Sequence, residues 1–415
     1  MLICSYCRKM TNKKKIILFS SSYPYGLTET FLHNEVDYLK DYFDIEIYPM
    51  LKKDDGDLPR KLSESIKYFT PFLRRSYFLR IVFGLFNLAP VSYFVRDFFK
   101  MLGSSSNLKT GLTDWFLFTI SYRTILRDRK FRHLLASNNG AIYYFYWGNF
   151  PFHLLPDTVK PVYIRVHGGE VNYERHCNYI PMAKEKFSGT SALILPISED
   201  ALNKTLVINS SVKYHLSRLG VKYYGDNSTN EIDRESITIV SCSNIIKLKR
   251  IHLIVEALSK ISDVTVNWIH FGDGPLLPLL KDAVIKLPPN IKVDLKGRIP
   301  NDDVLLFYKT RPIDLFINVS ETEGVPVSIM EALSFGIPCF ATNVGGTGEI
   351  LDKSGGMIVE KNFDVTILTD FICNIKSLSK ELNLRRGARA LWAKKCDYDN
   401  NYAKLEKIFN GRLLP

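Results

Sequence analysis

Two glutamates, Glu323 and Glu331, stand with seven residues between them in the stretch 320–350, SETEGVPVSIMEALSFGIPCFATNVGGTGEI. Glycines punctuate the same stretch: Gly324 follows the first acid, Gly336 comes after the second, and Gly345 and Gly346 precede a third acid, Glu349. Pro326 falls where a helix can begin, because its fixed φ suits the first turn and its missing N–H costs nothing there. Val327, Ile329, Met330 and Leu333 supply an apolar side, and Gly336 supplies a stop. A strand, a glycine turn and a helix start together offer free backbone N–H groups to an anion. Carboxylates beside such a site repel phosphate. They are suited to accepting hydrogen bonds from hydroxyls, such as those of a sugar or a ribose. The same residues also fit an ordinary βαβ unit with surface glutamates.

Further residues of the same kind lie where strands end. Asn244, Lys247, Lys249 and Arg250 cluster between a strand at 237–242 and a helix at 251–260, a place that can hold a diphosphate. Gly272 and Gly274 close a strand at 264–271, and Gly297 with Arg298 closes one at 291–295. In the first half of the chain, Arg165 belongs to a strand at 162–166, and His167, Gly168 and Gly169 follow it. A histidine at the carboxyl end of a strand, before two glycines, is positioned to meet a ligand. Gly26 ends a small-residue loop at 20–26 after the first strand, 16–19, and a helix at 28–40 follows with Phe31, Leu32, Val36 and Leu39 facing inward.

As a joint pattern, the stretch 320–350 resembles the donor-binding signature of glycosyltransferase family 4, the retaining enzymes of GT-B fold. E-G-x-P stands at 323–326, E-A at 331–332, G-x-P at 336–338 and G-G-x-x-E at 345–349. The resemblance is strong over 237–350 and weaker over 16–200. It implies an α/β, GT-B architecture: two Rossmann-like domains facing an interdomain cleft, acceptor contacts mainly in the first and the nucleotide sugar in the second. By resemblance, His167, Glu323 and Lys249 are the expected catalytic residues. Glu323 contacts the donor sugar, and Glu331 holds the ribose hydroxyls. Gly324, Val325, Pro326, Asn244, Lys247, Gly272, Gly274 and Arg298 complete the expected donor site, the loop of Arg298 lying against the base. Gly26, Arg165 and Gly168 fall on the acceptor side, and Glu170 takes the acidic place after the R-x-H-G pattern. Asn244 departs from the family, which has an arginine there; Lys247 or Arg250 is a candidate to cover for it. The implied reaction moves a sugar, with retention, from a nucleotide-diphosphate sugar to a glycan or lipid-linked acceptor, as in bacterial surface polysaccharide synthesis. No cofactor and no metal are expected beyond the donor substrate. The alternative is a non-catalytic GT-B-like scaffold that binds a glycan or a partner enzyme.

The elements that must position these residues need more than one core, since 415 residues suggest two or three domains. Residues 1–14 read as a disordered tail and 15–224 as a first Rossmann-like domain with an aromatic helical insertion near 68–132. Residues 225–395 read as a second domain, and 396–415 as a helix crossing back to the first. The polar, aperiodic stretch 222–236 marks the boundary. Within the insertion, the uncharged run 81–95 is fifteen residues long, short of the ~20 that span a bilayer. It fits helices packed on the domain, or a basic-aromatic surface lying on an anionic membrane. Further helices are expected at 115–132, 301–309, 365–380 and 383–395.

A net charge of +12 favours anionic partners, among them nucleic acid, nucleotide diphosphates and anionic lipid. The basic residues are dispersed and no recognition module is visible, so nucleic acid is not an expected partner. Seven scattered cysteines read as reduced thiols of a cytoplasmic protein, with the inner membrane face as a candidate surface. Cys4 and Cys7 lack the second pair a zinc site needs. The Asp-x-Asp triplets at 55–57 and 397–399 follow no apolar strand and read as solvated acids. No run near the start is long enough for a signal core.

Overall fold

The computed structural model describes residues 13–26, 29–51, 59–73, 91–138, 140–156, 158–183, 187, 192–227, 235–376 and 378–412. The expected tail, Cys4, Cys7, the acids at 55–57, and Arg74, Arg75 and Arg80 of the insertion lie wholly or largely outside them. The chain forms two compact units. The first takes the residues up to Pro196 with Leu202–Ser217 and those from Lys404, and the second takes Ile197–Ala201 and Arg218–Ala403. The expected boundary at 224/225 lies within the second unit.

The strands of the first unit are short apolar runs: β1 (Lys15–Ser20), β2 (Asp44–Pro49), β3 (Lys67–Tyr68), β4 (Ile142–Phe145), β5 (Val162–Val166), β6 (Leu193–Pro196) and β7 (Lys213–Tyr214). They pair parallel throughout in the order β3-β2-β1-β4-β5-β6-β7. Runs without polar alternation form because helices cover both faces of a parallel sheet, and β4 and β5 are buried along their whole length. Helix α1 (Thr30–Leu39) buries Leu32, Val36 and Leu39, and with them Glu35, which lies on the same face at helical spacing.

In the insertion, α2 (Val91–Ser104) and α3 (Leu108–Arg127) anchor through Phe94 and Phe118 against Met182. Asp97, buried on α2, accepts from the Tyr179 hydroxyl at 2.6 Å and from the Met182 N–H at 2.9 Å. The single helix expected at 115–132 is two. Asp128 is extended and caps α4 (Arg129–Ser137) by accepting from the N–H groups of Lys130 and Phe131.

The second unit repeats the pattern with β8 (Ser236–Cys242), β9 (Thr265–Phe271), β10 (Ile291–Gly297), β11 (Leu315–Asn318), β12 (Cys339–Thr342) and β13 (Gly356–Val359). These form a parallel sheet ordered β10-β9-β8-β11-β12-β13. Alternation along β11 feeds two cores. Phe316 packs with Ile329, Leu333 and Trp392 on one face, whereas Leu315 and Ile317 pack with Ile254, Trp268 and Phe340 on the other. The expected helices at 365–380 and 383–395 are Val365–Cys373 and Leu378–Leu391, the second running on into a π turn at Trp392–Cys396.

In each sheet the strand order reverses once, between β1 and β4 and between β8 and β11. Loops leaving neighbouring strands in opposite directions open a crevice at the carboxyl ends there, and open α/β sheets bind ligands in it.

Candidate functional site

Glu323 follows β11 and Lys249 follows β8, so the two flank the switch point of the second sheet. The Lys249 ammonium lies 2.5 Å from the Glu323 carboxylate, which also accepts from Asn318 Nδ2 at 3.2 Å. Glu331 projects from helix α5, whose residues run Val327–Ser334 after Pro326. Its carboxyl accepts from Asn301 Nδ2 at 3.0 Å. Burial pushes the Glu331 carboxyl up to about 7, against the opposing pull of the Asn301 hydrogen bond. A buried carboxyl gains from further hydrogen bonds, and hydroxyl groups from a ligand would donate them.

The turns that frame these acids are locked backbone to backbone. Gly346 N–H donates to the Gly324 carbonyl at 2.6 Å. Gly345 has φ 54°, and a Cβ there would stand 1.9 Å from the Glu323 carbonyl oxygen. Only glycine meets both conditions. Gly272 is bound the same way: φ is 146°, and a Cβ would stand 1.8 Å from the Ser243 carbonyl oxygen. Gly272 and Gly274 thus hold the loops after β8 and β9 against each other.

The basic cluster after β8 divides. Arg250, a candidate to cover for the family arginine, donates to the backbone carbonyls of Val319, Ser320 and Lys361. It fastens loops and has little left for an anion. Lys247 is exposed on the 3-10 turn Lys247–Lys249. Asn244, also exposed, accepts from Arg298 Nη2 at 3.2 Å. Glu349 of the G-G-x-x-E pattern accepts from the N–H groups of Glu199 and Asp200 and pairs with Arg218 at 2.5 Å, so it is a structural acid.

In the first unit, His167 follows β5 and is buried among the rings of Phe31, Tyr146 and Trp147. Its Nε2 lies 3.0 Å from the Tyr146 carbonyl oxygen. A carbonyl only accepts, so Nε2 carries the proton and Nδ1 is left as an acceptor. Burial, with the positive charge of Arg165 added, pushes the imidazole down to about 3, so the ring is neutral at physiological pH. The Glu170 carboxylate accepts the His167 N–H at 2.8 Å and closes the turn that Gly168, at φ 91°, begins.

Arg165 is a correction to the expected acceptor contacts. It is 0% exposed, pairs with Glu35 at 2.6 Å, and donates to the carbonyl and hydroxyl of Ser217. Tyr144 completes the cluster by donating to Glu35 at 2.5 Å. Arg165 is therefore a core residue that positions β5, without access to a ligand. Gly26, at φ 71°, is fastened by Arg60 Nε donating to its carbonyl at 3.0 Å. The loop before it is organised by Glu29, whose buried carboxylate accepts the N–H groups of Ser21, Ser22 and Tyr23 and the Trp147 indole N–H. Beside it a cavity lined by Phe19, Ser20, Met50, Tyr122, Trp147 and Phe150 sits at the first sheet's switch point.

Glu35, Asn301 and Asn318 are partners that motif reading passed over. Glu35 carried a signal: it falls three residues after Leu32 and four before Leu39, on an otherwise apolar face.

Two doubly wound parallel sheets of this kind define the GT-B class of glycosyltransferase fold. Anabaena HepE in complex with UDP and glucose shares it at TM-score 0.63 and 14% identity, over 96% of this chain and 100% of that one. Sucrose-phosphate synthase from Thermosynechococcus elongatus does so at TM-score 0.68 and 12% identity, over 96% and 99%.

The sequence narrows the class. This chain matches, over residues 226–390, the family described as glycosyl transferases group 1. It is 28% identical over 170 residues to an N-acetyl-alpha-D-glucosaminyl L-malate synthase of Bacillus anthracis, covering 41% of this chain and 42% of that protein. It is 24% identical over 216 residues to a putative teichuronic acid biosynthesis glycosyltransferase, TuaC, of Bacillus subtilis, covering 48% and 51%. The chain thus spans about half the length of these curated relatives or less. Among the described residues no helix is long and apolar enough to cross a membrane.

Proposed function

We propose that this chain is a retaining glycosyltransferase of the family 4 kind, moving a sugar from a nucleotide-diphosphate sugar to a glycan or lipid-linked acceptor in bacterial surface polysaccharide synthesis. The observation that carries the reading is the pair Glu323–Lys249 across the switch point of the second sheet, in the same unit as the buried, under-solvated Glu331. Glu331 suits the paired hydroxyls of a ribose. Glu323 suits a sugar hydroxyl and holds an ammonium within reach of a diphosphate. Departure of the diphosphate builds negative charge as the sugar becomes oxocarbenium-like. A preorganised cation and the amino end of α5 stabilise that charge most where water is excluded. These groups supply the electrostatics a metal would otherwise provide, so the reaction is expected to survive chelation. His167, neutral, contributes a hydrogen-bond acceptor rather than a charge.

HepE has been captured with UDP-glucose, which makes UDP the first nucleotide to try here. The outer faces of α2 and α3 expose Tyr93, Val95, Phe99, Leu102, Leu108 and Leu112 beside Arg96, Lys100 and Lys109. This supports a cytoplasmic enzyme resting on an anionic membrane, where apolar side chains and basic charge act together.

A thermal-shift panel of UDP, GDP, ADP and their sugars, with and without EDTA, tests the donor reading. Stabilisation by one nucleotide family and a product of retained anomeric configuration are expected. No stabilisation by any nucleotide overturns the reading in favour of a binding scaffold.

A further inference from the structure

The cations at the carboxyl ends of β8, β9 and β10 differ in what already neutralises them. Lys249 is matched by the Glu323 carboxylate. Arg250 is spent on three backbone carbonyls. Arg298 is different. It is exposed after β10, and the partner of its Nη2 is the side-chain oxygen of Asn244, a neutral amide. An amide orients a guanidinium without cancelling its charge, and leaves most of its five N–H donors for a ligand.

The backbone fixes where that charge sits. Ser243 N–H donates to the Phe271 carbonyl, Ile245 N–H to the Asp273 carbonyl and Gly272 N–H to the Gly297 carbonyl, at 2.9, 2.9 and 2.8 Å. These bonds tie the three loops into one piece, and the contact that forbids a Cβ at Gly272 keeps them together. Asp273, the acid in that piece, turns its carboxylate to the N–H of Gly274 at 2.6 Å. Lys247, the remaining exposed cation of the cluster, is a flexible point charge, whereas arginine presents a rigid fork matched to phosphate oxygens.

We propose that Arg298 is the guanidinium that grips the donor's diphosphate, and that Asn244 is the positioning residue that presents it. The charge missing at position 244 is thereby delivered from the next strand but one in the sheet, and the Arg298 loop reads phosphate rather than base. This rests on the donor site proposed above and adds to it, beside Lys249, a second source of phosphate-binding charge.

The test measures binding of UDP, GDP and ADP, each beside its own nucleoside, by titration calorimetry. The proteins are the wild type, Arg298→Gln, Arg298→Lys, Asn244→Ala and the double variant Asn244→Arg/Arg298→Gln. Loss of a charge-assisted phosphate contact is expected to weaken the preferred diphosphate ~10-fold or more in Arg298→Gln, with nucleoside affinity unchanged. Arg298→Lys should recover part of the loss, Asn244→Ala should show a smaller one, and the double variant should regain most of the affinity by returning the guanidinium to position 244. Diphosphate affinity unchanged in Arg298→Gln overturns the proposal, as does a parallel loss of nucleoside affinity, which would make Arg298 a base contact. A wild type that binds no diphosphate removes the donor site itself and this proposal with it, a result distinct from either of those.

Discussion

Replacing Glu331 by glutamine is expected to stabilise the protein while disabling it. The Glu331 carboxyl is displaced from its ordinary 4.5 to about 7, with burial the cause. Its folded-state affinity for a proton is therefore raised, so the folded protein binds more protons than the unfolded chain between those values. Stability from this group is fully present below about 4.5 and is lost as pH rises through about 7. At ~1.4 kcal/mol for each tenfold in proton affinity, the carboxylate costs about 3 kcal/mol at pH 8 and under about 1 kcal/mol at pH 5. Glutamine keeps the shape and keeps an acceptor for Asn301 Nδ2, and it never ionises. Urea denaturation of wild type and Glu331→Gln at pH 5, 6, 7 and 8 should show the variant gaining on the wild type as pH rises, with most of the gain between pH 5 and 7. Nucleotide-sugar turnover by the variant should fall to background at every pH, because the amide puts a donating NH2 where the carboxylate has its second accepting oxygen. A stability difference that does not vary with pH, or a variant less stable than wild type at pH 8, refutes the reasoning about Glu331.

Three further outcomes follow from the packing. Arg165→Met strands the buried Glu35 carboxylate and should cost about 3–5 kcal/mol by chemical denaturation, with much of it recovered in Arg165→Met/Glu35→Leu. Gly345→Ala forces a side chain into a positive-φ position 1.9 Å from a carbonyl oxygen. It should lower stability by more than ~1 kcal/mol and abolish nucleotide-induced stabilisation. The imidazole of His167, held down to about 3, should show a flat NMR titration from pH 5 to 9. Because the unfolded chain takes up a proton near 6.5 and the folded ring does not, this group lowers stability as pH falls below that value.

Much of the second unit was legible because its chemistry is written in local order. The turn at Glu323, the helix it opens and the stop at Gly336 lie within one βαβ passage, and proline and glycine punctuate it. What the motif could not convey is who each side chain faces. Lys249 comes from a strand far away in sequence, and only the strand order beside β11 makes it the partner of Glu323. Arg250 and Arg298 could not be ranked from sequence, since both are arginines in loops. The carbonyls that occupy one and the amide that presents the other are tertiary facts. Arg165 misled for a related reason. It stands in a strand that ends at the site, but the period of two along β5 turns it to the opposite face from its neighbours, towards Glu35. The helical insertion was read as a choice between core and surface, yet α2 serves both, with Phe94 and Asp97 inward and Phe99 outward.

The fastening between the Glu323–Gly324 turn and the Gly345–Gly346 turn carries a rule for anyone reshaping this protein. Each turn is the other's mould: a residue inserted in one, or a side chain added at Gly345, collides with main chain of its counterpart, not with a side chain that could swing away. Loop exchange from a relative should therefore transplant the two turns as a matched set, together with the stretch between them. Changes confined to exposed side chains such as Lys247 leave that mould intact and are the freer positions for retuning what the protein accepts.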